Sequence, residues 1–289
     1  MSTTTGSSPY VDTETLAQEV AGSHPPTLLD VRWSLGGPPG ADEHAAGHLP
    51  GAAYVDLDTE LAATHTHPVD HRGRHPLPAP EDFAAAMRRA GVRAGHPVVV
   101  YDGATGVAAA RCWWLLRHHG HRDVRVLDGG YAAWLAAGLP LERGSVAPEP
   151  GDFEPGPGDL PLLGQADVVR FTGDGLLLDA RTPERFRGEA EPVDPVAGHV
   201  PGAVNLPATA LLGPDGRVRP ADQVRALVAA ARADAGADPT AGVAAYCGSG
   251  VTAAHSVLVL EHAGIRASLQ AESWSGWVAE PARPVATGA

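Results

Sequence analysis

The stretch Val243-Ala244-Ala245-Tyr246-Cys247-Gly248-Ser249-Gly250-Val251-Thr252 combines two patterns that decide the fold of this chain. The apolar run 243–246 predicts a short buried strand, and the run 252–262, ended by Gly264, predicts a helix. Two glycines in the connecting loop permit backbone angles at which several amide N–H groups point at one spot. That spot lies at a helix N-terminus, where negative charge is favoured. The loop therefore predicts an anion-binding cradle beside one cysteine.

Cys247 stands at the start of this loop, where the amides and the helix dipole would stabilise a thiolate. The competing interpretation is a small buried hydrophobic residue without chemistry, which is the ordinary role of an isolated cysteine after a strand. The flanking glycines and the change from strand to helix favour a nucleophilic cysteine.

The composition restricts the class of protein. The chain has 289 residues, 44% of them hydrophobic, and a net charge of −13 without a basic stripe, so nucleic acid and anionic membranes are not expected as partners. Residues 1–9 lack the basic and apolar regions of a secretory signal, and no run reaches the roughly 18 apolar residues of a membrane span. Two cysteines cannot supply a disulfide framework, so we expect a cytoplasmic protein.

The second half of the sequence repeats the motifs of the first. Four segments recur in the same order at separations of 143 to 151 residues. The matched pairs are 28–32 with 177–181 (L-L-D-x-R), 47–52 with 198–203 (G-H-[LV]-P-G-A), 98–102 with 243–247, and 131–134 with 274–277. Such uniform spacing indicates an internal duplication in which each half is one folding unit.

Strands alternate with helical stretches within each half, which predicts an α/β fold with a mainly parallel central sheet flanked by helices. We expect a first domain at 1–144, a proline-rich extended linker at 145–161 and a second domain at 162–289. Asp102 stands in the first half where Cys247 stands in the second, so only the second domain is expected to be catalytic. Because clefts form at domain interfaces, we expect the site where the halves meet.

The D-x-R, G-H-[LV]-P-G-A and C-G-S-G-V-T motifs, arranged in tandem, resemble the two-domain rhodanese-type sulfurtransferases, the family of thiosulfate and 3-mercaptopyruvate sulfurtransferases. The resemblance extends from about residue 10 to residue 287 and implies two rhodanese-like domains. It also implies that Cys247 accepts a sulfane sulfur as a persulfide and passes it to a thiol or to cyanide. Amides of 248–252 would hold the anionic persulfide, and neither a metal nor an organic cofactor is implied.

The two residues after Cys247 bear on the sulfur donor. Thiosulfate enzymes of this family place Arg and Lys there, whereas this chain has the neutral Gly248 and Ser249, which resembles the 3-mercaptopyruvate enzymes. In those enzymes the loop serine joins a histidine and an aspartate of the first domain. By resemblance these are His75, chosen over His71, and Asp58. The chemistry needs a hydroxyl polarised by a base.

By resemblance, Arg185 binds the donor carboxylate, since a planar guanidinium suits that group. The family's second arginine follows a Glu-Pro pair, but here Glu191-Pro192 is followed by Val193 and Asp194. Either Arg181 or Arg187 could substitute. The expected substrate-binding residues are Arg185, Gly248, Gly250, Val251 and Thr252, with Cys247, Ser249, His75 and Asp58 as the catalytic ones.

Other motifs have simpler explanations. The histidines at 65, 67, 71 and 75 lack the spacing of a metal site, and Ala253 stands where a cysteine phosphatase needs arginine. Because Arg32, Arg181, His48 and His199 occur in both halves, we expect them to support the fold. Cys112 is expected to be buried and inert. Whether Trp33, Trp274 and Trp277 line the cleft or fill the core is left open.

These observations predict a sulfurtransferase that uses 3-mercaptopyruvate or thiosulfate. The alternatives are a thiosulfate:cyanide sulfurtransferase and a non-catalytic rhodanese-like module that binds sulfur or regulates. The expected acceptor is thioredoxin or a low-molecular-weight thiol, and the expected assembly is a monomer or a weak dimer.

Overall fold

The computed structural model describes residues 8–63 and 72–288, which form two parallel β-sheets with helices packed around them. The first sheet has the order β1-β5-β4-β2-β3, and its strands are β1 (Tyr10–Val11), β2 (Thr27–Asp30), β3 (Ala53–Tyr54), β4 (Val98–Tyr101) and β5 (Val124–Leu127). The second has the order β7-β6-β8-β9, and its strands are β6 (Leu176–Asp179), β7 (Val204–Asn205), β8 (Val243–Tyr246) and β9 (Ala267–Leu269). The predicted fold class is confirmed.

The helices of the described residues alternate with these strands. Those of the first half are α1 (Thr13–Val20), α2 (Gly40–Ala46), α3 (Leu57–Glu60), α4 (Pro80–Arg89), α5 (Val107–His118) and α6 (Gly130–Ala136). Those of the second half are α7 (Val168–Asp174), α8 (Pro183–Arg187), α9 (Ala221–Ala235), α10 (Val251–His262) and α11 (Ser273–Val278), with 3₁₀ turns at Gln165–Asp167 and Ala208–Leu211. None of the helices within 8–63 and 72–288 is long and apolar enough to span a membrane.

The central strand of each sheet is buried on both faces, which is typical of parallel sheets covered by helices. β4 (VVVY) and β8 (VAAY) are buried at every position, as expected for a strand with helices above and below it. The equivalent strands pair in the equivalent register, with Leu29 opposite Val100 in the first sheet and Leu178 opposite Ala245 in the second. The internal duplication is therefore also a structural repeat.

The halves join where α5 packs along α10. Residues 108–116 of α5 and 253–260 of α10 are buried all round, and one hydrophobic cluster runs from one half into the other. A helix that is apolar on every side is stable only when it is covered on every side. Each of these helices follows a central strand, so their packing brings the two strand-to-helix loops to one interface.

In each half, the repeated D-x-R motif links one strand, β2 or β6, to the G-H-x-P-G-A loop. Arg32 donates to the Asp30 carboxylate and to the carbonyl of Gly47, and Arg181 makes the same bonds to Asp179 and Gly198. All four charged side chains are buried. A buried guanidinium paired with carboxylate and carbonyl oxygens is fully compensated. The expected structural role of these arginines is confirmed.

The segment expected as a linker is extended but docked. Phe153 and Leu160 are buried in the main hydrophobic cluster, and the Phe153 ring meets that of Phe83 edge-on at 5.8 Å between centroids. A Cβ at Gly158 would lie 2.0 Å from the carbonyl oxygen of Arg117, so the chain runs directly against α5. The domain limits at 144 and 162 remain predictions.

Replacing Phe153 by alanine tests how firmly this segment is docked. We expect a loss of about 3–5 kcal/mol in the free energy of unfolding, because an aromatic side chain is removed from a packed core. Urea denaturation measures it. The control is Val169→Ala, at a residue that is 64% exposed, for which we expect a change within about 0.5 kcal/mol. A loss below about 1 kcal/mol at Phe153 would contradict docking.

Candidate active site

The loop between β8 and α10 forms the predicted cradle around Cys247. The amide of Gly250 donates to the Cys247 sulfur at 3.1 Å, and the Ser273 hydroxyl accepts from the Cys247 amide at 3.0 Å. Gly250 has φ +84°, and a Cβ there would lie 2.2 Å from the carbonyl oxygen of Ala271. Glycine is therefore required at 250, both for the left-handed backbone and for the close approach.

Cys247 faces a cavity of about 360 Å³ that both halves line. Trp33, Arg74 and Val107 come from the first half, and Arg185 and Cys247 from the second. Of the expected substrate-binding residues, Arg185, Gly248, Val251 and Thr252 line this cavity, and Gly250 lies behind it against the sulfur. The expectation of a cleft between the halves is confirmed.

The structure brings Ser249, His75 and Asp58 into one chain of polar contacts. The Ser249 hydroxyl lies 2.7 Å from His75 Nδ1, and His75 Nε2 lies 3.2 Å from Asp58 Oδ1. His71, the alternative histidine for this role, lies outside the described residues, as do His65 and His67. The residues expected to act together are thus adjacent, although Ser249 and His75 are 174 positions apart.

His75 is held neutral. Burial lowers the pKa of His75 to about 4, with Arg111 and Arg74 acting in the same direction and Asp58 opposing them. A neutral imidazole that donates from Nε2 to Asp58 accepts the Ser249 proton at Nδ1, so the two partners select the tautomer. The ring is consequently in the form of a general base at neutral pH.

Trp33 contacts both Asp58 and His75, so it lies in the cleft and not in the core. Its Nε1 donates to Asp58 Oδ2 at 2.9 Å, and its ring meets the His75 ring edge-on at 5.4 Å. Trp274 and Trp277 are buried in the core of the second half instead.

Arg111 lies beside the site and was not among the residues expected there from the sequence. It is fully buried on α5, and its guanidinium donates to the carbonyls of Leu61, His75 and Pro76, which holds the segment that carries His75. Burial lowers the pKa of Arg111 to about 10, while the nearby Cys247 opposes that shift. One arginine within the apolar run 107–116 was the available indication.

Two arginines flank the residue after the cysteine. A Cβ on Gly248 would lie 2.9 Å from Arg74 Nη2 and 3.5 Å from Arg185 Nη2. Asp194 forms an ion pair with both of them, and Glu191 pairs with Arg185 at 2.6 Å. Arg185 was expected at this place, and Arg74 was not.

In the first half, Asp102 occupies the cradle that corresponds to the Cys247 loop. Its carboxylate accepts from the amides of Gly106, Ala104 and Ala108 at 2.9 to 3.0 Å, at the start of α5. Burial raises the pKa of Asp102, and the amide hydrogen bonds oppose that rise. The loop of the first half thus binds its own side chain. Cys112, also on α5, is fully buried, and burial raises the pKa of its thiol.

Replacing Gly250 by alanine tests the cradle. We expect slower alkylation of Cys247 by iodoacetamide and a lower free energy of unfolding, because the new Cβ would displace the loop. Mass spectrometry assigns the alkylated cysteine. The matched control is Gly236→Ala, which has φ +61° and open space around its Cβ position, so it carries only the backbone cost of roughly 1–2 kcal/mol. Equal effects at 250 and 236 would contradict a built cradle.

Comparison with known proteins assigns the chain to a family. The family of the rhodanese-like domain matches residues 12–137 and 164–280. A relative from Pseudomonas aeruginosa, named provisionally as a 3-mercaptopyruvate sulfurtransferase, is 46% identical over 94% of this chain and 97% of its own. A relative from Mycobacterium tuberculosis, named provisionally as the thiosulfate sulfurtransferase SseB, is 44% identical over 94% of this chain and 95% of its own.

A solved structure agrees with that assignment. SseA from Escherichia coli, described by its rhodanese fold and as a 3-mercaptopyruvate sulfotransferase, is 31% identical and superposes with a TM-score of 0.79 over 93% of this chain and 100% of that chain. The chain belongs to the rhodanese family, as a sulfurtransferase built from two rhodanese-like domains.

Proposed function

We propose that this protein transfers the sulfur of 3-mercaptopyruvate to a thiol acceptor through a persulfide on Cys247. The observation that carries the proposal is the Ser249–His75–Asp58 chain beside Cys247, with contacts of 2.7 and 3.2 Å. When 3-mercaptopyruvate gives up its sulfur, the rest of the molecule leaves as a carbanion-like enolate, which needs a proton. The Ser249–His75–Asp58 contacts can deliver that proton.

In the first step the Cys247 thiolate attacks the sulfur of 3-mercaptopyruvate. The new S–S bond forms as the C–S bond breaks, and the electron pair of the C–S bond leaves with the enolate of pyruvate. The proton of the donor thiol passes to His75 through Ser249 and returns to the enolate carbon. The products are pyruvate and the Cys247 persulfide anion, so charge and protons balance without an external oxidant or reductant.

In the second step an acceptor thiolate attacks the outer sulfur of the persulfide and releases the Cys247 thiolate. The Gly250 amide at 3.1 Å from the sulfur supports stabilisation of both anions. The proposed acceptor is thioredoxin or a low-molecular-weight thiol, and the proposed compartment is the cytoplasm, since Cys247 must remain reduced. We propose that the protein acts as a monomer or a weak dimer.

Thiosulfate is the second candidate donor, favoured by the name of the Mycobacterium tuberculosis relative. Its leaving group, sulfite, is a stable anion that needs no proton on leaving. The proton relay of Ser249, His75 and Asp58 would then have no task. The relay therefore favours 3-mercaptopyruvate.

Steady-state kinetics with cyanide as acceptor test the donor. We expect a higher kcat/KM for 3-mercaptopyruvate than for thiosulfate, and no turnover in Cys247→Ser. Intact-mass measurement should show one added sulfur on the wild type after donor treatment. A preference for thiosulfate would contradict the donor assignment, and full activity in Cys247→Ser would contradict the mechanism.

Ser249→Ala separates the relay from the nucleophile. We expect turnover of 3-mercaptopyruvate to fall by about 10²–10⁴, the usual contribution of general acid–base catalysis, while thiosulfate turnover changes little. The matched control is Ser256→Ala, a buried serine on α10. Equal losses with the two donors in Ser249→Ala would assign the hydroxyl to the cradle and not to proton transfer.

The pH dependence of His75 follows from its surroundings. We expect its imidazole to stay neutral from pH 8 down to about pH 5, since its pKa is lowered to about 4 from 6.5. Between pH 6.5 and about pH 4, the unfolded chain binds a proton at His75 that the folded protein does not bind. His75 therefore reduces the stability of the folded protein as the pH falls through this range. NMR of the histidine rings, assigned with His75→Gln, measures the titration. A midpoint near 6.5 would show that the ring is solvated.

A further inference from the structure

We propose that Arg74, from the first half, is the second arginine for the donor carboxylate and works with Arg185 across the interface. This inference rests on the proposed function, because it names a specificity-determining residue for that reaction. It also accounts for the absence of arginine after Glu191-Pro192, where the chain has Val193 and Asp194.

The positions of the two guanidinium groups relative to the nucleophile support this assignment. A Cβ on Gly248 would lie 2.9 Å from Arg74 Nη2, 3.5 Å from Arg185 Nη2 and 3.6 Å from Arg185 Nη1. Gly248 directly follows Cys247, and all four residues line the same cavity. A donor sulfur in contact with Cys247 would therefore place its carboxylate, three bonds away, within reach of both guanidinium groups.

Arg181 and Arg187, the other two arginines considered for this role, form ion pairs with other carboxylates. Arg181 lines the cavity, but its side chain is 1% exposed and its N–H groups bond Asp179, Glu191 and the Gly198 carbonyl. Arg187 forms a bidentate pair with Glu189 at 2.7 and 2.8 Å and does not line the cavity.

Asp194 orients both guanidinium groups. Its buried carboxylate binds Arg74 Nη1 through Oδ1 and Arg185 Nη2 through Oδ2, the latter at 3.1 Å. Arg74 Nη2 and Arg185 Nη1 lie beside Gly248. A guanidinium whose one edge is held by a carboxylate presents its other N–H groups in a fixed direction. Asp194 is thus a positioning residue.

The backbone of Arg74 is held by the second half. Its amide donates to the Ser275 hydroxyl at 3.0 Å. A Cβ on the preceding Gly73 would lie 2.4 Å from the Glu272 carbonyl oxygen, so the two chains touch there. The next residue, His75, reaches Ser249. One docked segment, 73–75, therefore delivers both the arginine and the histidine.

The chemistry of the donor explains why a second cation is needed. The protein carries a net charge of −13, which opposes entry of an anion. Beside the cavity, Asp194 and Glu191 offset part of the positive charge of the arginines. A charged hydrogen bond to a carboxylate contributes more than a neutral one, and two arginines can bind both carboxylate oxygens.

The test is Arg74→Gln, assayed with 3-mercaptopyruvate and with its methyl ester, which lacks the carboxylate charge. We expect KM for the acid to rise about 10- to 100-fold with a smaller change in kcat, and the parameters for the ester to change less than about twofold. Arg74→Lys, which keeps the charge without the fork, should recover part of the loss. Arg187→Gln is the matched control, and it should leave KM and kcat unchanged for both substrates.

Pyruvate, the product, provides a readout of binding without chemistry. We expect its inhibition or binding constant, followed by the fluorescence of Trp33 in the cavity, to weaken by a similar factor in Arg74→Gln and in Arg185→Gln. Equal losses for acid and ester in Arg74→Gln, with unchanged pyruvate binding, would overturn the inference and leave Arg74 as an interdomain ion pair. Thermal unfolding of each variant separates this result from a loss of folded protein.

The failure of the proposed function has a different signature. If the wild type forms no persulfide with 3-mercaptopyruvate, the proposed donor is wrong. Arg74-dependent binding of pyruvate would in that case still support a carboxylate site made by both halves, and Arg74-independent binding would overturn it.

Discussion

The packing of α5 against α10 is the contact on which the rest of the structure depends. Each helix begins at the carboxyl end of a central parallel strand, so burying one helix against the other brings both strand-to-helix loops to one interface. One loop holds Cys247 in its cradle, and the other is closed by the Asp102 carboxylate. An apolar contact between two buried helices thus determines where the polar chemistry takes place.

Buried charge at this interface serves mainly to place backbone and side chains. Arg111 holds the carbonyls around His75, and Asp194 holds Arg74 and Arg185. The Asp194 carboxylate is compensated by two guanidinium groups, whereas Arg111 donates to backbone carbonyls and keeps Nη1 without a hydrogen-bond partner among the described residues. The same surroundings keep the His75 imidazole neutral, since burial and two guanidinium groups together outweigh the attraction of Asp58. Removing a charge here would therefore shift the geometry and the proton affinity together.

Predictions that rested on local pattern agreed with the structure to within about one residue. The expected strand 243–246 is Val243–Tyr246, and the expected helix 252–262 is Val251–His262. Apolar periodicity and terminal glycines depend on neighbours in sequence, so the chain displays them directly. The linker was only half predicted: its extended backbone followed from the prolines, but its docking through Phe153 depends on surfaces built by other segments.

The sequence by itself determined the duplicated α/β fold and the cradle at Cys247, and by resemblance it predicted Ser249, His75, Asp58 and Arg185 as site residues. These properties belong to short contiguous motifs, each of which dictates its own backbone. Only the tertiary structure decided that Arg74 and Arg111 of the first half face Cys247 of the second, and that Trp33 lies in the cleft. The reason is physical: these neighbours are far apart along the chain, and they meet because two buried helices pack together, an event that no local pattern records.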